Sequence, residues 1–167
     1  MKRSQIFLRI FLAAYAVLML WLLFGQRMGR SAPGTYLSRL AENFNLIPLA
    51  TVWDFIETLG RTANPYLAGH AVINLAGNVV MFVPLGILLP ACFAPLRRFG
   101  RCMAAAAAVI LAVEMAQLFT LLGVCDVDDL LLNTAGAAAG WLLYAGIRKL
   151  LTATAFTFWQ KSDKIKP

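Results

Sequence analysis

Glu114 and Gln117 stand three residues apart inside MAAAAAVILAVEMAQLFTLL, an otherwise apolar run. At that spacing they share one face of a helix. Asn74 and Asn78 do the same, four apart, in HAVINLAGNVVMF, and CDVDDLLLNTAG sets Asp126, Asp128 and Asp129 just ahead of Asn133. A carboxylate withdrawn from water is a candidate general base or proton carrier. Clustered carboxylates offer hard oxygen ligands suited to Mg²⁺ or Ca²⁺. Side-chain amides hydrogen-bond sugar and amide groups. The plainer alternative is that the amides join neighbouring helices, each pair contributing ~0.6 kcal/mol. The aspartates would then favour the positive end of a helix by about 0.3–1 kcal/mol. That is too little to hold three carboxylates together, so a counter-charge is expected: Arg39, Arg61, a divalent cation or a cationic ligand group. No nucleophile motif accompanies these residues. His70 has no partner pattern, and Cys92, Cys102 and Cys125 show neither metal spacing nor a disulfide framework; they read as small apolar fillers.

The elements that must position these groups are membrane helices. The chain has 167 residues, 60% hydrophobic and 14% charged, with mean hydropathy +0.72. Soluble domains carry about a quarter charged residues. The expected fold is an all-α integral membrane protein, one domain over 1–167, with four spans near 6–24, 70–89, 103–122 and 128–147. Helix 2 should kink near Pro84. A cleaved leader is considered for the first run, which follows Lys2 and Arg3. Arg27 and Arg30 come directly after it with no small-residue cleavage pattern, so an uncleaved helix is expected, with Arg9 snorkelling to its inner end. In the first outer loop, NLIPLATVWDFIETLG places Asn45 before Pro48, then Leu49, Val52, Trp53, Ile56 and Leu59 at helical spacing, with Asp54 and Glu57 opposite. It is too short to span and reads as a short interfacial helix. The tail after Arg148 and Lys149 reads as a separate short segment carrying Trp159.

The net charge of +7 follows the membrane pattern rather than a nucleic-acid footprint, because the basic residues flank the apolar runs. With both termini in the cytoplasm, Lys2, Arg3, Arg9, Arg97, Arg98, Arg101, Arg148, Lys149, Lys161, Lys164 and Lys166 lie inside. Only Arg27, Arg30, Arg39 and Arg61 lie outside. This is a multi-pass arrangement suited to a bacterial cytoplasmic membrane. It also brings Asn74, Asn78, Glu114, Gln117, Asp128, Asp129 and Asn133 to one depth, in the outer halves of helices 2 to 4. Asp129, Asn133, Gly136 and Gly140 fall on one face, and GAAAG is a small-xxx-small surface for close helix approach. Groups this polar should face inward.

In order and spacing, NLIPL, NLAGNVVMFVPLGILLP, EMAQ and DVDDLLLNTAGAAAG resemble the VanZ-like family of small bacterial membrane proteins, over roughly residues 45–145. The family is named for an accessory protein of glycopeptide resistance that raises tolerance to teicoplanin, a lipoglycopeptide. The resemblance implies signature positions at Asn45, Pro48, Asn74, Asn78, Phe82, Pro84, Gly86, Glu114, Gln117, Asp126, Asp128, Asp129, Asn133, Gly136 and Gly140. Two positions depart from the family pattern: Leu49, where members often carry an aromatic, and Val124–Cys125, where they often carry an arginine.

The expectation is a non-enzymatic cell-envelope protein with a polar, acidic cleft open to the outer leaflet. Asn45, Asn74, Asn78, Glu114, Gln117, Asp126, Asp128, Asp129 and Asn133 would bind an amphiphile there: a lipid headgroup, a lipid-linked wall precursor or a lipoglycopeptide. The alternatives are a divalent-cation-dependent enzyme acting on a lipid-linked phosphate, and proton or solute transport through Glu114. The sequence names no metal and no cofactor. The partner is a membrane lipid or lipid-linked ligand, not nucleic acid, and a homo-oligomer is compatible with four spans.

Overall fold

Four helices long and apolar enough to cross a membrane run through the computed structural model, which describes residues 3–25 and 35–163, with side chains described to 153. Lys2, Arg27, Arg30, Lys164, Lys166 and the side chains of Trp159 and Lys161 lie outside the described residues, and so does the stretch after helix 1 that bears on cleavage.

Among the described residues the order is α1 (Arg3–Phe24), α2 (Tyr36–Glu42), β1 (Phe44–Asn45), α3 (Ala50–Arg61), α4 (Pro65–Cys92), a 3₁₀ turn (Ala94–Arg97), α5 (Phe99–Thr120), β2 (Cys125–Asp126) and α6 (Val127–Asp163). Local chemistry sets several ends. Asn64 caps α4 by accepting from the Tyr66 N–H at 2.9 Å, with Pro65 in the first turn. The helix does not end at Pro84 or Pro90, and both lie inside it. Each removes one backbone hydrogen bond, a loss that membrane helices tolerate when neighbours surround them. At the end of α5, Leu121 takes the left-handed conformation (φ 55°), and the Leu122 N–H returns to Gln117 O at 3.0 Å, closing a Schellman turn.

Three expectations from sequence change here. α1, α4 and α6 extend past the expected spans, while α5 starts earlier, at Phe99, and ends two residues short of Leu122; the Asn64 cap of α4 and the left-handed Leu121 after α5 set those ends rather than hydropathy. The segment after Ile147 is not separate: α6 continues through Arg148 and Lys149 to Asp163. Basic residues end a membrane span but are good helix formers, and no Gly or Pro interrupts 147–163. The first loop also holds a second helix, α2, which Thr35 caps by accepting from the Ser38 N–H at 3.3 Å. Its seven residues carry too little periodicity to be read in advance.

The helices alternate in direction. Tyr15 on α1 donates to Met81 O on α4 at 2.8 Å, and Gln117 near the end of α5 donates to Leu23 O near the end of α1 at 3.3 Å. At the opposite end, Arg9 lies over the Phe93 ring, 6.0 Å from its centroid. The most extensive helix contact joins α4 to α6. A Cβ on Gly136 would overlap the Val79 carbonyl, one on Gly140 the Val83 carbonyl, and one on Gly86 the Ala137 carbonyl. The two backbones therefore touch, as the small-residue surface predicted. Met19, Phe82, Leu85, Leu89, Cys102, Ala106, Ile110 and Ala137 form the apolar core. α1 contributes only Met19 to the buried set and exposes Phe7, Phe11, Val17 and Trp21, a face suited to lipid.

Candidate functional site

The polar residues gather at the end of the bundle away from Arg9. On each of three helices the change from polar to apolar takes one turn: Asn78 to Phe82 on α4, Glu114 to Ile110 on α5, and Asn133 to Ala137 on α6. Glu114, Gln117 and Asn133 are each 3% exposed, and Asp128 is 0% exposed. Asn74, Asn78 and Asp129 are half-buried. Asn78 Nδ2 donates to Asp129 Oδ1, joining α4 to the first turn of α6. The Asn133 side-chain oxygen is buried and has no hydrogen-bond donor among the described residues.

The acidic loop is organised by the first loop. β1 and β2 pair in parallel, Phe44 opposite Cys125 and Asn45 opposite Asp126, and the Cys125 N–H donates to Asn43 O at 2.9 Å. This bridge brings Asn45 Nδ2 to 3.2 Å from Asp126 Oδ2 and 2.8 Å from Thr51 Oγ1. Thr51 Oγ1 donates to the same Asp126 oxygen at 2.6 Å. The other Asp126 oxygen accepts the Asp128 N–H at 2.8 Å.

Asp128 caps α3 from outside the helix. The N-cap position is Leu49, in the left-handed region (φ 65°) with no capping hydrogen bond from its own side chain. Asp128 Oδ1 accepts the Leu49 N–H, and its Oδ2 accepts the Val52 N–H at 3.1 Å. One carboxylate thereby satisfies two donors that a helix start leaves without intrahelical partners. It also holds a leucine in a conformation that costs about 1–2 kcal/mol for an L-residue.

Where a counter-charge was expected (Arg39, Arg61, a divalent cation or a cationic ligand group), Asp126 and Asp128 meet backbone N–H, amide and hydroxyl donors. Arg61 instead pairs with Glu57 on α3. Among the described residues no three His, Cys, Asp or Glu side chains form a metal-holding group. Cys125 lies in this layer: burial pushes its thiol up from the ordinary range, and the negative charges of Glu114 and Asp126 push it further the same way. Thr51 was missed from sequence, since a threonine at a helix start carries no signal of a partner 75 residues away.

The family model described as VanZ/LLP1 matches residues 11–151. The chain belongs to the VanZ/LLP1 family. The match reaches beyond the motif region, from within α1 to within α6. No curated protein and no solved structure matches the chain. VanZ/LLP1 membership together with four apolar helices describes a multi-pass membrane protein and points to a cell-envelope or resistance-related role.

Proposed function

We propose that this VanZ/LLP1 member is a non-enzymatic module of the bacterial cytoplasmic membrane, with both termini cytoplasmic. Its polar end, open to the outer leaflet, binds the head of an amphiphile: a lipid headgroup, a lipid-linked wall precursor or a lipoglycopeptide such as teicoplanin. The observation that carries this reading is the division of labour among the polar residues. Asp126, Asp128 and Asn45 are engaged by the chain's own groups. Asn133 keeps a buried side-chain oxygen with no donor from the described residues, in the layer that also buries Glu114 and Gln117. A buried acceptor without a donor costs about 1–3 kcal/mol, which a ligand N–H or O–H offsets. An ionisable group at membrane depth is by default a functional candidate.

In this reading Glu114, Gln117, Asn133 and the Asn78–Asp129 pair meet the ligand, with Asn74 a turn further out. Asp126 and Asp128, with Asn45, hold α3 across the mouth. α3 exposes Trp53, Ile56 and Leu59, an apolar face that would lie at the membrane surface.

The test is binding to protein in nanodiscs, with teicoplanin and a polyprenyl phosphate as probes, alongside mass spectrometry of co-purifying lipid. Saturable binding without turnover is expected. With helix content unchanged, Glu114→Gln should weaken it about tenfold or more, since a hydrogen bond to a charged group contributes ~1.5–3 kcal/mol, and Asn133→Leu about two- to tenfold, the ~0.5–1.5 kcal/mol of a neutral one. Turnover of the phosphate, solute uptake into proteoliposomes, or unchanged affinity in both variants would overturn the reading.

A further inference from the structure

The charges of this chain are sorted between the two ends of the bundle. No Asp or Glu occurs before Glu42, between Glu57 and Glu114, or between Asp129 and Asp163. The end built from the start of α1, the α4–α5 turn and residues 141–153 of α6 therefore carries Arg3, Arg9, Arg97, Arg98, Arg101, Arg148 and Lys149 with no carboxylate in those segments.

Within that end lies a groove of about 380 Å³, lined by Arg97 from the 3₁₀ turn and by Trp141, Tyr144, Arg148, Lys149 and Thr152 from α6. Tyr144, Arg148, Lys149 and Thr152 lie three, seven, eight and eleven positions after Trp141, the spacing of one helical face. Trp141 packs edge-on against Phe99, ring centroids 5.1 Å apart, and its indole N–H is buried with no acceptor among the described residues. The Thr152 hydroxyl is spent on the Arg148 and Lys149 carbonyls at 3.1 and 2.9 Å. The three cations are exposed. Beside the groove, α6 exposes Leu142, Leu143, Ile147, Leu150 and Leu151.

We propose that this groove binds the phosphate headgroup of an anionic phospholipid. Three cations without carboxylates among them call for an anion, and basic pockets between membrane helices take acidic headgroups. Trp and Tyr sit at headgroup depth in membrane proteins. The apolar strip of α6 supplies a wall for acyl chains, which favours a lipid over free phosphate. The site is at the opposite end of the bundle from the polar layer and does not depend on its function.

The experiment uses the full chain in nanodiscs of phosphatidylglycerol mixed with phosphatidylcholine. Lipids retained on gentle release are counted by native mass spectrometry. Phosphatidylglycerol should be retained selectively. Arg97→Gln and Arg148→Gln should each lower retention roughly fivefold, Arg148→Lys should keep most of it, and Arg101→Gln, outside the groove, should change little. Millimolar inorganic phosphate should not displace the lipid. Equal loss in Arg101→Gln would mean diffuse surface charge, displacement by phosphate would mean a free-anion site, and equal retention of phosphatidylcholine would mean no headgroup selection; each overturns the proposal. The substituted arginines are exposed, so folding is not at stake, and unchanged circular dichroism checks this.

Discussion

Asp128→Ala should release the start of α3. First-turn amides of a helix have no intrahelical acceptor and ordinarily exchange freely with solvent. Here the Val52 N–H lies 3.1 Å from Asp128 Oδ2, and the Leu49 N–H is bound by the other oxygen. Both amides should therefore be protected in the wild type. Losing an N-cap costs about 0.5–2 kcal/mol, and hydrogen bonds to a charged group contribute ~1.5–3 kcal/mol each. Leu49 is exposed and Val52 half-buried, so water recovers much of the loss, and a net effect near 2–3 kcal/mol is expected. At 1.36 kcal/mol per factor of ten, that is roughly 30- to 150-fold faster exchange at these two amides. Asp128→Asn keeps one acceptor oxygen and should fall about halfway on the logarithmic scale. The assay is hydrogen–deuterium exchange by mass spectrometry on peptides covering 46–56, with α5 peptides as an internal reference. Equal protection of residues 49–52 in wild type and Asp128→Ala would refute the trans-capping argument. Faster exchange throughout α5 would instead mean that Asp128 supports the whole bundle rather than this cap.

Two further outcomes follow from the geometry. Gly136→Ala should cost about 1–3 kcal/mol of stability, read as a lower apparent melting temperature in detergent, because its new Cβ meets the Val79 backbone rather than a yielding side chain. Gly77→Ala on α4, where a Cβ meets nothing within 4 Å, should be neutral or gain up to ~1 kcal/mol from helix propensity; effects of the same sign at both sites would contradict the α4–α6 close approach. In a Cys92→Ala, Cys102→Ala background, Cys125 should react with a small neutral thiol reagent more slowly than an exposed cysteine at pH 8. Burial and the two carboxylates disfavour the thiolate, so Asp126→Asn and Glu114→Gln should move the pH–rate curve to lower pH, and a shift to higher pH would reverse the sign of the argument.

Much of the bundle was legible in the residues because its determinants are local. Four apolar runs, the basic bias of their flanks, and the three- and four-residue spacings of Glu114–Gln117, Asn74–Asn78 and Gly136–Gly140 depend only on helix geometry and hydropathy. The burial of Glu114, Gln117 and Asn133 follows from the same spacing. What the acidic loop does was not legible. The reading from charge alone looked for a cation beside Asp126 and Asp128, because side-chain identities advertise charges and backbone N–H groups advertise nothing. Their partners, Asn45, Thr51 and the amides of Leu49 and Val52, lie 75 to 81 residues away. They arrive through a two-residue parallel bridge too short to leave a periodic trace. The left-handed Leu49 is equally silent in sequence, since a leucine does not announce a positive φ. Composition and spacing determined that the polar residues of a membrane bundle would gather at one end. Only the tertiary structure decided that two of the three aspartates there fasten the start of α3, because a hydrogen bond to the backbone is specified by where the chain goes and not by which residue it carries.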